Sequence, residues 1–379
     1  MRILFATTAG AGHLGPLAPF AAAATEPGHD VVVAAPGSAE PAVRRVGLPF
    51  HAVGESTDAE RGPMFGRMRG ASFDERNTIM LRDGFAGIFA GAALPIMSDL
   101  IEHWRPDVVV RESLEFSSLA AAAAQGVPHV QVATNLLVTL DDAMARVRPR
   151  VTELLATAGV GADRSSGAFD EWLLSLVPPS LERPDDRDRA ARYRARDVDR
   201  SVATNVHRPL VFLSFGTEAA GQFYPALYRE AIDAVADSSW DVLVTLARAV
   251  DPAALGPLPD GVRVETWVDQ IDALSRADVT VSHGGTGTMI ESLAAGTPIV
   301  TLPLFSFDQW QSGARVAEAG AGIVLQGPRD VGRLGAAVRE VLGKPQFRER
   351  AGEIARETAS LPPVSDAIRA LGAIPARVA

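Results

Sequence analysis

The chain has 379 residues, enough for two domains that each bury a hydrophobic core. Hydrophobic residues make up 47% and charged residues 22%, which is typical of a folded globular protein and not of a disordered one. The formal net charge of −10 argues against nucleic acid or an anionic membrane as the main partner, and the lack of cysteine excludes disulfides, thiolate metal sites and cysteine nucleophiles.

No targeting or membrane segment is predicted near the amino terminus. The stretch MRILFATTAG indicates a short strand and a glycine turn, without the long apolar core of a signal peptide. The alanine runs at 21–24 and 120–124 are too short to span a bilayer. We therefore expect a cytoplasmic protein.

Apolar runs that alternate with helical patterns predict βαβ units in the first half of the chain. A helix is predicted over Ser117–Gln125, and Gly126 ends it. Short, uninterrupted apolar strands are typical of a parallel sheet that is buried on both faces. The predicted strands are Ile3–Thr7, Asp30–Ala34, Val108–Val110 and Val127–Ala133.

A densely charged segment, RPDDRDRAARYRARDVDR at 183–200, separates this half from the next. It has almost no core residues, which indicates a solvated linker or a surface helix over about 183–208. Two Rossmann-like domains, 1–200 and 209–379, are then the simplest account, with a last helix at Ser365–Leu371 that can pack on either domain. The predicted strands of the second half are Leu210–Ser214, Asp241–Thr245, Val262–Glu265, Val279–Ser282 and Ile299–Leu302.

The turn GAGHLG, from Gly10 to Gly15, matches the G-x-G-x-x-G fingerprint of dinucleotide-binding folds. That fingerprint needs an acidic ribose ligand at the end of the second strand. The sequence has alanine and proline there, and Asp30 precedes the strand. An NAD(P)-dependent oxidoreductase is therefore an alternative that lacks its ribose ligand.

His13 lies in the same turn, at the carboxyl end of a predicted strand. An imidazole suits a general base near neutral pH, although a partly buried histidine bonded to a backbone carbonyl is an equal alternative. A base needs an orienting carboxylate, and Glu112, just past another predicted strand, is the first candidate. Glu115 competes with it, and either glutamate alone is compatible with a surface loop.

The stretch VSHGGTGTMIESLAAGTPIV, at 281–300, predicts a second ligand site. Glycines at a helix start let backbone N–H groups approach a phosphate, and the helix dipole favours negative charge there. His283, Thr286 and Thr288 can add hydrogen bonds to phosphate oxygens, and Glu291 can reach ribose hydroxyls. This pattern indicates a nucleoside diphosphate.

Three further stretches after predicted strands fit the same ligand. Trp267 can stack on a base while Val268 and Gln270 contact its edge, although a core tryptophan is the alternative reading. SFGT at 214–217 is another glycine turn suited to phosphate, and Asp308 and Gln309 are placed to bind hydroxyl groups. An apolar acceptor pocket, or simply core packing, is indicated by Met64, Phe65, Met68, Phe73, Met80, Phe85 and Phe89.

Together these blocks resemble the family 1 glycosyltransferases of GT-B fold, particularly bacterial enzymes that attach sugars to polyketides, macrolides and enediynes. The resemblance covers nearly the whole chain and implies two Rossmann-like domains with parallel sheets facing across a cleft. It rests on GAGHLGP at 10–16, RPDVVV at 105–110 with Glu112, AAQGVPHV at 123–130, SFGT at 214–217, WVDQIDAL at 267–274, SHGGTGTMIESLAAGTP at 282–298 and LPLFSFDQ at 302–309.

The resemblance also implies roles for individual residues. His13 would deprotonate the acceptor hydroxyl with Glu112 as its partner, although the family's usual partner is aspartate. Asp308 and Gln309 would face the donor sugar, and Glu291 the ribose. The remaining donor contacts would be Trp267, Val268 and Gln270 for the base, and Thr217, His283, Gly285, Thr286, Gly287 and Thr288 for the diphosphate.

The implied reaction is an inverting, metal-independent transfer from a nucleotide-sugar co-substrate to a natural-product aglycone, without a cofactor. A dTDP-deoxysugar is favoured over a UDP-sugar. The D-x-D motif at Asp197–Asp199 lies in the charged segment and not after a predicted strand, which speaks against a metal site. A non-catalytic helper of another glycosyltransferase is a second alternative, and a homodimer is compatible with the sequence.

Overall fold

The computed structural model describes residues 1–25, 28–196, 208–248 and 250–373. They form two compact units. The first unit contains residues 1–176 and 183–196 together with the segment from Pro362, and the second contains residues 177–182 and the described residues between 208 and 361. The predicted D-x-D at Asp197–Asp199 lies outside the described residues.

The first unit is built on a seven-stranded sheet in the order β3-β2-β1-β4-β5-β6-β7, and every pair is parallel. The central strands are buried on both faces, which accounts for their uninterrupted apolar sequences. The strands are β1 Arg2–Ala6, β2 Asp30–Pro36, β3 Phe50–Val53, β4 Val108–Glu112, β5 His129–Val132, β6 Trp172–Ser175 and β7 Ala191–Arg192.

The second unit is built on a six-stranded parallel sheet in the order β10-β9-β8-β11-β12-β13. Both sheets therefore reverse their strand order once, between β1 and β4 and between β8 and β11. At such a switch point the loops diverge and leave a crevice for ligands. The strands are β8 Leu210–Ser214, β9 Asp241–Thr245, β10 Val262–Glu265, β11 Val279–Ser282, β12 Ile299–Thr301 and β13 Gly322–Val324.

Helices connect the parallel strands in both units. The described helices are α1 Ala11–Ala24, α2 Glu40–Arg45, α3 Asp58–Met68, α4 Phe73–Ile79, α5 Ala90–Trp104, α6 Ser117–Gln125, α7 Leu137–Thr157, α8 Ala162–Ser165, α9 Gly216–Phe223, α10 Ala226–Val235, α11 Gln270–Arg276, α12 Thr286–Ala294, α13 Phe307–Glu318, α14 Leu334–Gly343, α15 Pro345–Ser360 and α16 Val364–Leu371. Helix α16 packs against α1 and so belongs to the first unit.

A wide π-helical segment, Met80–Phe89, joins α4 to α5. The resulting stretch, Phe73–Trp104, is the one described helix long and apolar enough to cross a membrane by length and composition. It packs against α6 and α7, and its Met97 and Ile101 are buried there.

The described part of the charged segment folds onto the first unit, while most of its charged side chains are exposed to solvent. The side chain of Asp186 is only 2% exposed, and Tyr193 is buried as well. The segment folds onto the first unit because Arg189 bonds both Asp186 and Asp141, each at 2.7 Å, and because β7 joins the sheet. Ion pairs thus hold a segment that has few apolar residues.

The predicted strands of the second half have the predicted bounds, except that β12 ends at Thr301 and not at Leu302. In the first half, β4 continues two residues beyond its prediction, and Glu112 is its last residue. The helix over Ser117–Gln125 and its end at Gly126, with φ of 69°, are confirmed.

Candidate functional site

The first candidate site lies at the switch point of the seven-stranded sheet, where β1 and β4 end. The chain turns sharply after β1 at Gly10, whose φ of 114° strongly favours glycine. Helix α1 begins directly after it, and His13 lies in its first turn. The end of β4 brings Glu112 to the same edge of the sheet.

The imidazole of His13 faces the carboxylate of Glu112. Its Nδ1 lies 3.2 Å from Oε1 of Glu112, and the histidine keeps 20% of its side chain exposed while the glutamate has none. A buried carboxylate thus contacts one ring nitrogen of a histidine that solvent can reach. This geometry fixes the orientation of the imidazole and stabilises its protonated form.

Glu112 is held by hydrogen bonds from three other groups. Its Oε1 accepts from the Thr8 hydroxyl at 2.8 Å and the Thr8 amide at 3.3 Å, and its Oε2 accepts from the Leu114 amide at 2.7 Å. Burial acts to raise the pKa of Glu112, but the charge of His13 and these hydrogen bonds lower it below its usual value. The group is therefore an anion beside the imidazole.

Glu115 does not compete for His13. Its carboxylate accepts hydrogen bonds from the backbone amides and hydroxyls of Ser117 and Ser118 at the start of α6. Burial raises the pKa of Glu115. The reading of these glutamates as surface loop residues is wrong, since both Glu112 and Glu115 are buried.

Sequence reasoning missed Arg111, which lies in β4 directly before Glu112. Its guanidinium is buried, pairs with Glu171 and bonds the backbone of the loop that follows β4. Glu171 lies directly before β6 and is 60 residues from Arg111 in the sequence, so the two meet only in the folded chain. No local pattern indicates such a pair.

Four of the residues predicted to line an acceptor pocket have different surroundings. Phe85 lies against His13, with ring centroids 5.1 Å apart. Met64 is buried beside Gly84, whereas Phe65 and Phe73 are 42% and 37% exposed. Of these residues, Phe85 is the one that the structure brings to the imidazole.

The second candidate site lies at the switch point of the six-stranded sheet, where β8 and β11 end. His283 follows β11, and two glycines lie against its ring. A Cβ added to Gly216 would lie 2.9 Å from Cε1 of His283, and one added to Gly285 would lie 2.6 Å from Nε2. Phe305 stacks near the ring with centroids 6.3 Å apart. Glycine is therefore required on both sides of this imidazole.

Burial lowers the pKa of His283 to about 4, against an opposing effect of the Ser214 backbone. The imidazole is therefore neutral at physiological pH. That opposing effect is a hydrogen bond between the ring and the Ser214 backbone, and Nδ1 of the ring is buried.

Helix α12 begins at Thr286, three residues after His283. Its N-cap residue Gly285 provides no side-chain hydrogen bond, so the first amides of the helix have no side-chain cap. Gly287 is exposed, whereas Thr286 and Thr288 are mostly buried. Thr217 is exposed in the first turn of α9, which follows β8 at the same switch point.

Two of the residues predicted to bind the nucleotide-sugar donor contact each other directly. The amide of Gln270 donates a 2.6 Å hydrogen bond to Oε2 of Glu291. Trp267 is 56% exposed, so the reading of it as a core tryptophan is wrong, and the guanidinium of Arg248 lies 4.4 Å from its ring centroid. Val268 packs on the small apolar cluster around Phe212.

Asp308 and Gln309 lie in the first turn of α13, after the loop that follows β12. The Ser306 hydroxyl donates to Oδ1 of Asp308. The side chain of Gln309 is buried, and its oxygen accepts from the amides of Leu304 at 2.8 Å and Phe305 at 3.1 Å. Gln309 therefore shapes this loop, which the sequence did not indicate.

No group of three or more His, Asp or Glu side chains in the described ranges is arranged to hold a metal ion. Two surface cavities, of about 650 and 430 Å³, lie elsewhere, one along residues 67–82 and one at the starts of β8, β9 and β10.

Two family models match the chain. The model described as "Erythromycin biosynthesis protein CIII-like, N-terminal domain" matches residues 22–201, and the corresponding C-terminal domain model matches residues 229–374. Each candidate site thus lies in a unit that one of these models largely covers.

Similar proteins and structures are glycosyltransferases. L-demethylnoviosyl transferase of Streptomyces niveus is 29% identical over 374 residues, which cover 96% of this chain and 95% of the relative. Spinosyn rhamnosyltransferase SpnG is 23% identical with a TM-score of 0.82, over 98% of this chain and all of that one. Glycosyltransferase VinC, solved with dTDP, is 25% identical with a TM-score of 0.77, over 98% and 99%.

The alternative hypotheses of an oxidoreductase and of a non-catalytic helper are therefore wrong. The strand β2 ends in Pro36 without the acidic residue that a dinucleotide site needs. The named relatives are transferases, and the two sheets match the fold of spinosyn rhamnosyltransferase SpnG. The chain belongs to the erythromycin biosynthesis protein CIII-like family, and it is a nucleotide-sugar-dependent glycosyltransferase of antibiotic-biosynthesis type with the GT-B fold.

Proposed function

We propose that the protein is an inverting, metal-independent enzyme that moves a sugar from a dTDP-sugar to a hydroxyl group of a natural-product aglycone. The acceptor oxygen forms a bond to the anomeric carbon as the bond from that carbon to the diphosphate breaks. His13 takes the hydroxyl proton. A single displacement of this kind inverts the configuration at the anomeric carbon.

The observation that carries this proposal is the 3.2 Å contact between Nδ1 of His13 and Oε1 of Glu112. Because Nδ1 faces the carboxylate, Nε2 is the nitrogen that receives the proton from the acceptor. The buried anion stabilises the imidazolium that forms. Glutamate thus serves here where the resemblance leads one to expect aspartate.

The donor diphosphate binds at the amino end of α12. The first turn without a side-chain cap and the neutral imidazole of His283, three residues before the helix, support this assignment. They are fixed donors, aimed at a group that gains negative charge as it leaves, and such preorganised donors lower the barrier without a metal ion. Glu291 binds the ribose, Gln270 contacts the edge of the base, Trp267 stacks on the base, and Asp308 binds the sugar.

The preference for dTDP over UDP rests on relatives. SpnG has been solved with thymidine diphosphate and, separately, with spinosyn aglycone, and VinC has been solved with dTDP. We extend the proposal to a deoxysugar donor and an apolar acceptor, as the resemblance to natural-product glycosyltransferases implies. No cofactor is required, because the nucleotide-sugar is itself consumed.

The proposal is tested first by thermal unfolding of the protein with dTDP, UDP, ADP and NAD(H). A ligand that binds only the folded state at about 100 times its Kd stabilises it by about 2.7 kcal/mol. We expect dTDP to raise Tm most and UDP less, with no effect of NAD(H). A rise in Tm with NAD(H) alone would contradict the proposed donor site.

A second experiment measures sugar transfer from dTDP-sugars of α configuration to a panel of polyketide aglycones, with and without EDTA. We expect a β-linked product, and the same rate in EDTA. A product of retained configuration would refute the single displacement, and loss of activity in EDTA with recovery in Mg²⁺ would refute metal independence.

A further inference from the structure

Arg111 is a buried arginine that the proposed mechanism does not use. Only 1% of its surface is exposed, although it lies one residue before the carboxylate that faces His13. Burying a guanidinium is unfavourable unless charges and hydrogen bonds compensate for the lost water. Its partners therefore indicate what the residue stabilises.

One nitrogen of this guanidinium gathers the backbone of the loop after β4. Nη1 donates to the carbonyl oxygens of Glu112 at 3.1 Å, Ser113 at 3.2 Å and Glu115 at 3.1 Å. Three carbonyls of one short loop thus converge on a single cation, which forces the loop to fold back around it.

The other side of the guanidinium is anchored to the sheet. Nε donates to Glu171 at 2.9 Å, and Nη2 donates to the same carboxylate and to Gln131 in β5 at 2.9 Å. Gln131 in turn donates to the Ser113 hydroxyl at 3.1 Å. The arginine is therefore fixed at both ends, between the neighbouring strands and the loop.

The fold of this loop determines where the carboxylate of Glu112 points, because the Leu114 amide donates to Oε2 at 2.7 Å. We propose that Arg111 is a positioning residue, which folds the loop at 112–115 so that Glu112 faces His13. The inference rests on the proposed function, in which Glu112 orients the base. Glu171 and Gln131 contribute by holding Arg111.

The test is a double-mutant cycle between Arg111→Lys and Glu112→Gln, read out as kcat for sugar transfer. Lysine keeps the charge but cannot reach three carbonyls. A displacement of about 1 Å can cost about 100-fold in rate, and we expect a fall of that order. In the Glu112→Gln background the same substitution should cost at most about twofold. The Kd for dTDP should not change.

Arg192→Lys is the matched control, because Arg192 is also buried and bonds backbone carbonyls, but in β7. This substitution should lower Tm, and any effect that it has on kcat should be the same with and without Glu112→Gln. If Arg111→Lys does not fold, Glu171→Gln carries the same cycle. An equal loss of kcat in both backgrounds would overturn the inference. A Glu112→Gln variant with normal kcat would instead overturn the proposed function.

Discussion

The side-chain amide of Gln270 donates a 2.6 Å hydrogen bond to the carboxylate of Glu291. Gln270 begins α11, and Glu291 lies in α12, about one and a half turns from the amino end where we place the diphosphate. The two residues were assigned separately to the base and to the ribose. Their contact makes them one polar unit, so each orients the other.

We expect Glu291→Ala to raise the Kd for dTDP and the KM for the donor about tenfold or more, since hydrogen bonds to charged groups are worth about 1.5–3 kcal/mol. The value of kcat should change little, because this contact is the same in the ground state and the transition state. Adding Gln270→Ala should then cost little more. Calorimetric titration with dTDP measures the binding, and the exposed Glu349→Ala in α15 is the control. Fully additive losses would contradict the shared unit.

His13→Ala should lower kcat by about 100- to 10,000-fold, the usual contribution of general base catalysis. The Kd for dTDP should stay as in the unmodified protein. The matched control is His103→Ala, because His103 is exposed on α5. The measurement is initial rates of transfer together with dTDP titrations. Near-normal turnover of His13→Ala would exclude this histidine as the base.

The site could be predicted from the sequence where its residues follow strands in short, glycine-bearing turns. His13 and the stretch from His283 to Glu291 are of this kind, because strand, turn and helix are consecutive. The partner of the base could not be chosen, since Glu112 and Glu115 are equally close in sequence. Only the fold shows that serines bind Glu115.

Contacts between distant segments were not predictable. The pair of Arg111 and Glu171 and the capping of Leu304 by Gln309 depend on tertiary packing that no local pattern encodes. The missed strands β3, β6, β7 and β13 lie at or next to a sheet edge. Such strands are short and partly exposed, so they lack the continuous apolar run that identifies a central strand.

The lowered pKa of His283 predicts how stability depends on pH. The neutral imidazole is favoured in the folded state, with a pKa of about 4 against 6.5 ordinarily. As pH falls from about 6.5 to 4, the unfolded chain therefore binds a proton that the folded chain does not. The free energy of unfolding should fall over this window, by about 3 kcal/mol at most.

Urea unfolding between pH 7 and pH 4.5 checks this, with His283→Asn as the comparison because asparagine does not titrate. The decrease in the free energy of unfolding should be smaller in the variant, since the other titrating groups are common to both proteins. Equal decreases in the two proteins would show that His283 does not titrate as its burial indicates.

The substitution Gly284→Ala tests how closely the loop before α12 is packed. The φ of Gly284 is 90°, and an added Cβ would lie 2.6 Å from the Gln309 carbonyl oxygen and 2.9 Å from Thr301. Gly284→Ala should lower the free energy of unfolding by about 2 kcal/mol or more. It should also abolish the stabilisation by dTDP. In Gly287→Ala the added Cβ meets nothing within 4 Å, so stability should be kept.

Phe85 provides a prediction about the acceptor. Its ring lies 5.1 Å from that of His13, on the wide π-helical segment. We therefore expect an aglycone whose hydroxyl binds at His13 to contact this ring, and apolar burial of one aromatic side chain is worth about 1.5–3 kcal/mol. Phe85→Ala should lower kcat/KM for the aglycone about tenfold and leave dTDP binding unchanged.

The comparison with Phe65→Ala and Phe73→Ala decides between a pocket and a single contact. Both side chains are substantially exposed, so their loss should change kcat/KM for the aglycone less than the loss of Phe85 does. Steady-state rates with the aglycone varied at saturating donor measure this. If all three variants lose about as much, the acceptor extends along α3 and α4. If Phe85→Ala alone has no effect, the ring serves only to pack against the imidazole.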